Sequence, residues 1–351
     1  MKYSFLKGII VLCAVLMSTA VGNVLACTSA LVGKDTTQNG RMLLWKHRDS
    51  GHPDNFVARV NGTVSEAGDS TYTFIGLFNA DDSECREVWA GMNEVGLGIM
   101  NTASYNFAPD TAAVKDMEGV IMAEALKHCR TVTDFRALLD NKLATGNPLG
   151  VQANFGVIDA NGNGVYIEAW DYGYTVFDLA DETNNYMIRS NYSYAGGEDY
   201  RLGEVRHDNA VALLQPIAEV KDVTPTTFTE SLSRSFLNTR FNKDLLTGNS
   251  RWIEDRGEMI PRHSSCASVV IEGGVAGNAP VMWISIGFPG FMPTEKVTFD
   301  YIPEGLLPTG ANNHSPLCDE GVALRNKAMP RKNRSGKWLF DKNVIKTLVE
   351  K

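Results

Sequence analysis

Val24-Leu25-Ala26-Cys27-Thr28-Ser29 sets small residues, Val24 and Ala26, at the −3 and −1 positions of a cut that would leave Cys27 first in the mature chain. A terminal cysteine joins an amine of pKa near ~8 to a thiol of pKa near ~8.5. The amine can take the thiol's proton, directly or through a water, so one residue supplies both nucleophile and base. Lys46-His47-Arg48-Asp49 follows, and Asp49 lies 22 residues beyond the cysteine. Its carboxylate would orient the terminal ammonium through a charge-assisted hydrogen bond, with Lys46 and Arg48 offsetting the pKa rise that an acid induces. Asn191 and Asn154 are neutral donors of the kind an oxyanion hole uses. Arg201 or Arg206 would reach the thiol side or a substrate carboxylate, and Asn101 opens a polar loop beyond a strand end, where site residues collect. His47 is a weaker alternative as base for Cys27, because nothing fixes its direction in a turn beside Asp49.

Other readings of the same residues stand beside this one. Cysteine after Val-Leu-Ala can be lipidated and its amine acylated, which consumes the base and leaves a lipid-anchored, non-enzymatic module. Cys27 can also be a bystander if the cut falls elsewhere. Residues 1–26 read as a signal peptide: Lys2 and Lys7 open it, Val11 to Met17 form its apolar centre, and it is too short to span a membrane with proper flanks. The expected location is periplasmic or secreted, or, with Cys27 acylated, that of a lipoprotein at the outer surface or in the periplasm.

Removing those 26 of 351 residues leaves 325, enough for one large domain or two modest ones. An apolar fraction of 44% and a charged fraction of 21% describe an ordinary globular protein. The net charge of −8, without any dense basic stripe, argues against a nucleic-acid partner. Past the signal the cysteines are Cys27, Cys85, Cys129, Cys266 and Cys318, an odd set in which four could pair and one stay free, or all stay thiols. No pair has zinc-ribbon spacing and the six histidines do not cluster, so neither a metal nor another cofactor is expected.

Alternating faces predict strands at 27–33 and 41–46, joined by a turn at Asp35 to Gly40, so that a hairpin returns His47-Arg48-Asp49 toward Cys27. Strands are also expected at 56–60, 72–77 and 86–90. Gly91-Met92-Asn93-Glu94-Val95-Gly96-Leu97-Gly98-Ile99 reads as strand, tight turn, strand. Thr111 to Leu139 turns helical in two stripes, with Thr133 as a cap for the second. A hairpin over 153–169 and further strands at 174–178 and 186–189 deliver Ser190, Asn191 and Tyr192 at a strand end. A helix from about Tyr200 is disturbed at Pro216, another lies within 226–241, and strands return at 264–271 and 280–286. A late amphipathic piece covers 338–349. The simplest packing is two central sheets with helices outside.

Taken in order, Cys27-Thr28-Ser29, Lys46-His47-Arg48-Asp49-Ser50, the Gly91 to Leu97 block and Ser190-Asn191 resemble the cysteine N-terminal-nucleophile hydrolases. The nearest branch is that of the penicillin acyltransferase-like autoproteolytic proteins, next to the choloylglycine hydrolases and penicillin V acylases. The resemblance implies an α+β fold of four αββα layers, with residues 27–351 as a single domain whose C-terminal region is loop-rich. It implies an exported amidase cleaving a linear C–N bond of a small-molecule N-acyl amide through a thioester on Cys27; acyl transfer and dipeptidase activity belong to the same fold. Asp49 would orient the amine, Asn191 would position the amine or the oxyanion, and a further oxyanion donor falls within Asn101 to Tyr105. The later arginine falls on Arg206, with Arg201 as rival. The bile-salt and penicillin V branch carries arginine three residues before the aspartate. Here that residue is Lys46, which lacks the planar fork, and Arg48 is the residue that would compensate. Oligomerisation is left open.

Overall fold

The computed structural model describes residues 26–64, 70–107, 115–275 and 278–349. The signal segment up to residue 25 and the expected helix onset at 111–114 lie outside the described residues.

Strands β1 (Thr28–Val32) and β2 (Leu43–Asp49) pair antiparallel with Thr28 opposite His47, which brings the end of β2 back to Cys27. Seven strands then form an antiparallel meander: β3 (Asn55–Val60), β4 (Phe74–Asn79), β5 (Ala90–Asn93), β6 (Gly98–Ala103), β7 (Ala153–Ile158), β8 (Gly164–Trp170) and β9 (Gly173–Asp178). β10 (Tyr186–Arg189) leaves that sheet and joins β1. Strands Ser265–Glu272, Val281–Ile286 and Glu295–Val297 complete the first sheet on the far side of β2.

The burial pattern fixes the layers. Leu31, Leu44, Ile75, Met92, Met100, Tyr166, Val269 and Ile284 meet between the two sheets. Phe74, Leu97 and Phe155 lie on the outer face of the seven-stranded sheet, under helices α1 (Glu118–His128) and α2 (Val132–Ala144), packed with Phe135 of α2. Trp45, Ile188 and Val270 lie on the outer face of the first sheet, under α3 (Glu204–Glu219) and the short helical segment Thr227–Leu232. The order is helix, sheet, sheet, helix, the four-layer αββα arrangement. A smaller core of Phe236, Ile253, Phe288 and Phe340 gathers α4 (Pro316–Ala328), α5 (Lys342–Val349) and a three-stranded sheet at the C-terminal side.

Three expectations change. α2 is capped by Thr131, not Thr133: Thr131 accepts from Asp134 N at 3.1 Å while the Asp134 carboxylate takes Thr131 N at 2.9 Å. That reciprocal box needs a short acceptor three residues before an acid, and Thr133 has Arg136 there. α3 runs through Pro216 to Glu219, so the loss of one N–H is tolerated one turn before its end. Residues 226–241 hold a wide-turn segment, Thr227–Leu232, and a 3-10 turn, Thr239–Phe241, in place of one regular helix, because Ser233 and Ser235 are weak helix formers and Ser233 is engaged by β2. All five cysteines among the described residues are free thiols, four of them buried.

Candidate active site

Period-two alternation along β1 and β2 sorts the candidate residues onto two sides of the first sheet. On β1, Ser29 reaches Tyr166 of the other sheet at 2.8 Å and Leu31 joins the inter-sheet core. Continuing that alternation back one step directs the Cys27 side chain between the sheets. On β2, Lys46 and Arg48 point the same way, whereas His47 and Asp49 point to the helical side.

Cys27 is buried, 6% exposed, and its nitrogen donates to Asn191 Oδ1 at 2.9 Å. In the uncut chain this is a peptide nitrogen; it marks where the amine of a cleaved chain would lie. The Asn191 amide is fixed at both ends. Its Oδ1 also accepts from Arg206 Nη2 at 2.6 Å and its Nδ2 donates to Ala103 O at 2.8 Å. Arg206 further donates to Cys27 O at 2.6 Å and Thr28 Oγ1 at 3.0 Å. Its place at the start of α3 depends on Gly203, which has φ +86° and would put a Cβ 2.2 Å from Arg206 Nη2. Burial and the neighbouring Arg262 push the Arg206 pKa down. Arg201, its rival, stays on the surface beside Glu204.

On the inter-sheet side, the fully buried Lys46 donates to Asn101 Oδ1 at 2.7 Å and Trp89 O at 2.8 Å. Burial pulls its pKa down to about 8, countered most by the Cys27 thiol. Lys46 holds the Asn101 oxygen, and Asn101 lines the adjoining cavity. Arg48 is bound by Asn55 Oδ1 at 2.6 Å and Asn79 Oδ1 at 2.8 Å, and its guanidinium lies 4.8 Å from the Trp89 ring centre. The Gly91 to Leu97 block supports this side structurally. Asn93 Nδ2 holds the Leu126 and Cys129 carbonyls of α1's end, and Gly96 turns the chain at φ +102° into β6, which carries Asn101.

On the helical side, Asp49 accepts from Arg262 Nη2 at 2.6 Å and Ser265 Oγ at 2.6 Å. Arg262 Nη2 also donates to the Ala26 carbonyl at 3.1 Å, so Asp49 is linked to the Ala26–Cys27 bond through that guanidinium. His47 is bonded to Ser233 and Ser265 at 3.0 and 2.9 Å, and burial lowers its pKa to about 4. A neutral, doubly bonded imidazole on this side is no base for Cys27. Asn154 spends its amide on Thr102, Ser190 O, Tyr192 O and Ser193, which pins the loop after β10 instead of offering a donor. Sequence reading missed Arg262, whose only signal is an arginine just ahead of the strand that pairs with β2.

A cavity of about 750 Å³ opens on the inter-sheet side, lined among others by Arg48, Trp89, Asn101, Ala103, Tyr105 and Glu118. Among the described residues the one group of metal-ligating type is Asp54, His314 and Asp319, partly exposed, with candidate ligand atoms within 4.8 Å of one another. His314 Nδ1 is already bonded to Asp319 at 3.0 Å there.

No protein-family model matches the chain, and no curated protein matches it in sequence. Solved structures of similar course include the Caenorhabditis elegans ortholog of N-acylethanolamine-hydrolyzing acid amidase, at 14% identity and TM-score 0.45 over 72% of this chain and 95% of that one. A mutant form of conjugated bile acid hydrolase from Clostridium perfringens is similar at 13% identity and TM-score 0.44, over 78% and 92%. Penicillin V acylase from Agrobacterium tumefaciens is similar at 13% identity and TM-score 0.42, over 79% and 87%. Likenesses of that extent say nothing of what this chain acts upon, and its chemistry is argued from its own residues.

Proposed function

We propose that the chain is an exported amidohydrolase that cleaves a linear amide C–N bond of an N-acyl compound through Cys27, once cleavage after Ala26 has freed the amine. The observation that carries the reading is the fastening of Cys27 N and O by Asn191 and Arg206 at 2.9 and 2.6 Å, with Asn191 also bonded to Ala103 in the wall of the neighbouring cavity. The amine takes the thiol proton as sulfur bonds to the substrate carbonyl carbon. Asn101 Nδ2 faces the developing oxyanion. The resulting ammonium, accepted by Asn191 Oδ1, returns its proton to the leaving amine as the C–N bond breaks. Water, deprotonated by the same amine, then attacks the thioester, and the thiol is regenerated. Asp49 acts through Arg262, holding that guanidinium at the Cys27 side of the site.

A free terminal cysteine is favoured over a lipid anchor because Cys27 is buried, 6% exposed, with its nitrogen bonded to Asn191 and its carbonyl to Arg206. No helix of the described residues is long and apolar enough to cross a membrane. The test is the intact mass and terminal sequence of exported protein, followed by thiol labelling and an amide screen. A Cys27 terminus that labels once, with turnover lost in Cys27→Ser, is the expected result. A lipidated terminus, or full turnover by Cys27→Ser, overturns the reading.

A further inference from the structure

The cavity beside Cys27 is not the greasy channel that a long acyl chain would need. At the Cys27 end its charges are positive: Arg48 lines it, and Lys46 lies behind Asn101. Both are held there by Asn55, Asn79, Asn101 and the Trp89 carbonyl. The opposite walls carry both signs, with Arg86 and Lys115 beside the carboxylates, and the buried acid among them is Glu118. Asp82 and Glu87 come from the loop after β4, and Asp116 and Glu118 from the start of α1. The two walls are pinned together, since Val88 N donates to Gly119 O at 3.1 Å and a Cβ on Gly119 would lie 2.8 Å from Glu87 Cβ. Glu118 is 7% exposed, and its carboxylate accepts a long bond from Gln152 N at 3.4 Å. Burial, then Asp82, Asp81 and Asp116, push the Glu87 pKa up, and burial with Asp116 raises Glu118 to about 7. Trp89 adds an aromatic wall whose indole Nε1, shielded from solvent, has no hydrogen-bond partner.

We infer that this cavity receives an acyl group bearing an ammonium, which pairs with the buried carboxylate of Glu118 while the scissile carbonyl lies at the cationic, Cys27 end. The acyl portion is assigned here because it remains on Cys27 while the amine departs, and the Ala103 wall of this cavity is bonded to the same Asn191 that holds Cys27 N. The two ends of one substrate are then served by different groups, donors near Cys27 for the oxyanion and the buried Glu118 carboxylate for the cation. This inference rests on the amidase reading for the carbonyl's position, but the subsite itself is measured without turnover.

The probes are ω-aminoacyl p-nitroanilides with two- to six-carbon acyl chains, each paired with the alkanoyl p-nitroanilide that lacks only the amine. Calorimetry on the thiol-less Cys27→Ser protein reads binding alone. At least one chain length is expected to bind about 10-fold tighter than its neutral partner, a ratio that falls toward one in Glu118→Gln and part-way in Asp116→Asn, which sits on the exposed rim. Equal binding of every pair, no binding of any probe, or a ratio that neither variant lowers overturns the subsite. Wild-type release of nitroaniline tests the other reading. Preferential binding without any hydrolysis leaves the ammonium subsite standing and removes the amidase.

Discussion

Side chains of β2 leave alternately toward two layers, and the two sides treat buried charge differently. On the helical side Asp49 meets Arg262 at 2.6 Å and Ser265 at 2.6 Å, and His47 is closed by Ser233 and Ser265. The one anion has a cation and a hydroxyl, and the imidazole stays neutral. On the inter-sheet side Lys46 and Arg48 are buried with neutral oxygens of Asn101, Trp89, Asn55 and Asn79 as their bonded partners. That leaves two cations without a bonded anion among the described residues, next to Cys27 and the cavity. A closed pair gives rigidity; an open cation raises the potential where a thiolate and an oxyanion form. The same strand, one residue out of phase, therefore holds the scaffold on one side and the electrostatics of the site on the other.

The sharpest way to break this comparison is to remove one partner of the closed pair. Arg262→Ala leaves Asp49 buried and uncompensated, and costs about 3–5 kcal/mol of stability. Thermal or denaturant unfolding of the mature protein checks it, and a loss under about 1 kcal/mol would show that the pair is not closed. Lys46→Met should do the reverse. It removes the bond that orients Asn101, so kcat falls about 10²–10³-fold, the magnitude of losing one oxyanion donor. Stability should hold or rise, because a buried ammonium without an anion is itself unfavourable. An unchanged kcat, or a large drop in Tm, would erase the distinction between the faces.

A pH series sharpens the same contrast. Lys46 has a folded pKa of about 8 against 10.5 unfolded, lowered by burial and Arg48 and raised by Cys27, Cys266 and Glu118. Between those values the unfolded chain binds more protons, so the Lys46 contribution makes the protein more stable as pH rises. Activity should move the opposite way, falling above pH about 8 as the ammonium that holds Asn101 is lost. Comparing wild type with Lys46→Met isolates both slopes. An alkaline limb of the same position in the variant would assign it to loss of the proton shared by the Cys27 thiol and amine instead.

How legible this was from the sequence depends on the range of the forces involved. The β1–β2 hairpin could be read because a turn and two alternating runs are local, and it carried Asp49 back toward Cys27. Asn101, Asn191 and Arg206 are marked by strand ends and helix starts; Asn191 and Arg206 bond Cys27, and Asn101 bonds Lys46. Arg262 was not legible: its partner is 213 residues earlier, and no local pattern sets it apart from Arg256. The Glu118 carboxylate was hidden for a similar reason. The helical stripe of Met117 and Ile121 announces packing, while the burial of the acid between them is decided by the loop at Gly150 to Gln152. Asn154 shows the converse error, where a donor at a promising strand was consumed by the loop it faces.

The smallest expected effect concerns His47, which belongs to the closed side and so should leave turnover almost untouched by its own titration. Burial holds its pKa near 4 against 6.5 unfolded, with Asp49 raising it and Arg262 and Arg206 lowering it. Its neutral form is the folded one, so its contribution to stability is fully present above pH 6.5 and is lost as pH falls through 4. No acid limb from this imidazole should cross the kcat/KM profile between pH about 5 and 7. His47→Asn keeps a polar group beside Ser233 and Ser265, so the profile should keep its shape while acid unfolding moves to lower pH. A limb near pH 6.5 in wild type that vanishes in the variant would turn His47 into a participant, and the helical side of β2 would no longer be scaffold alone.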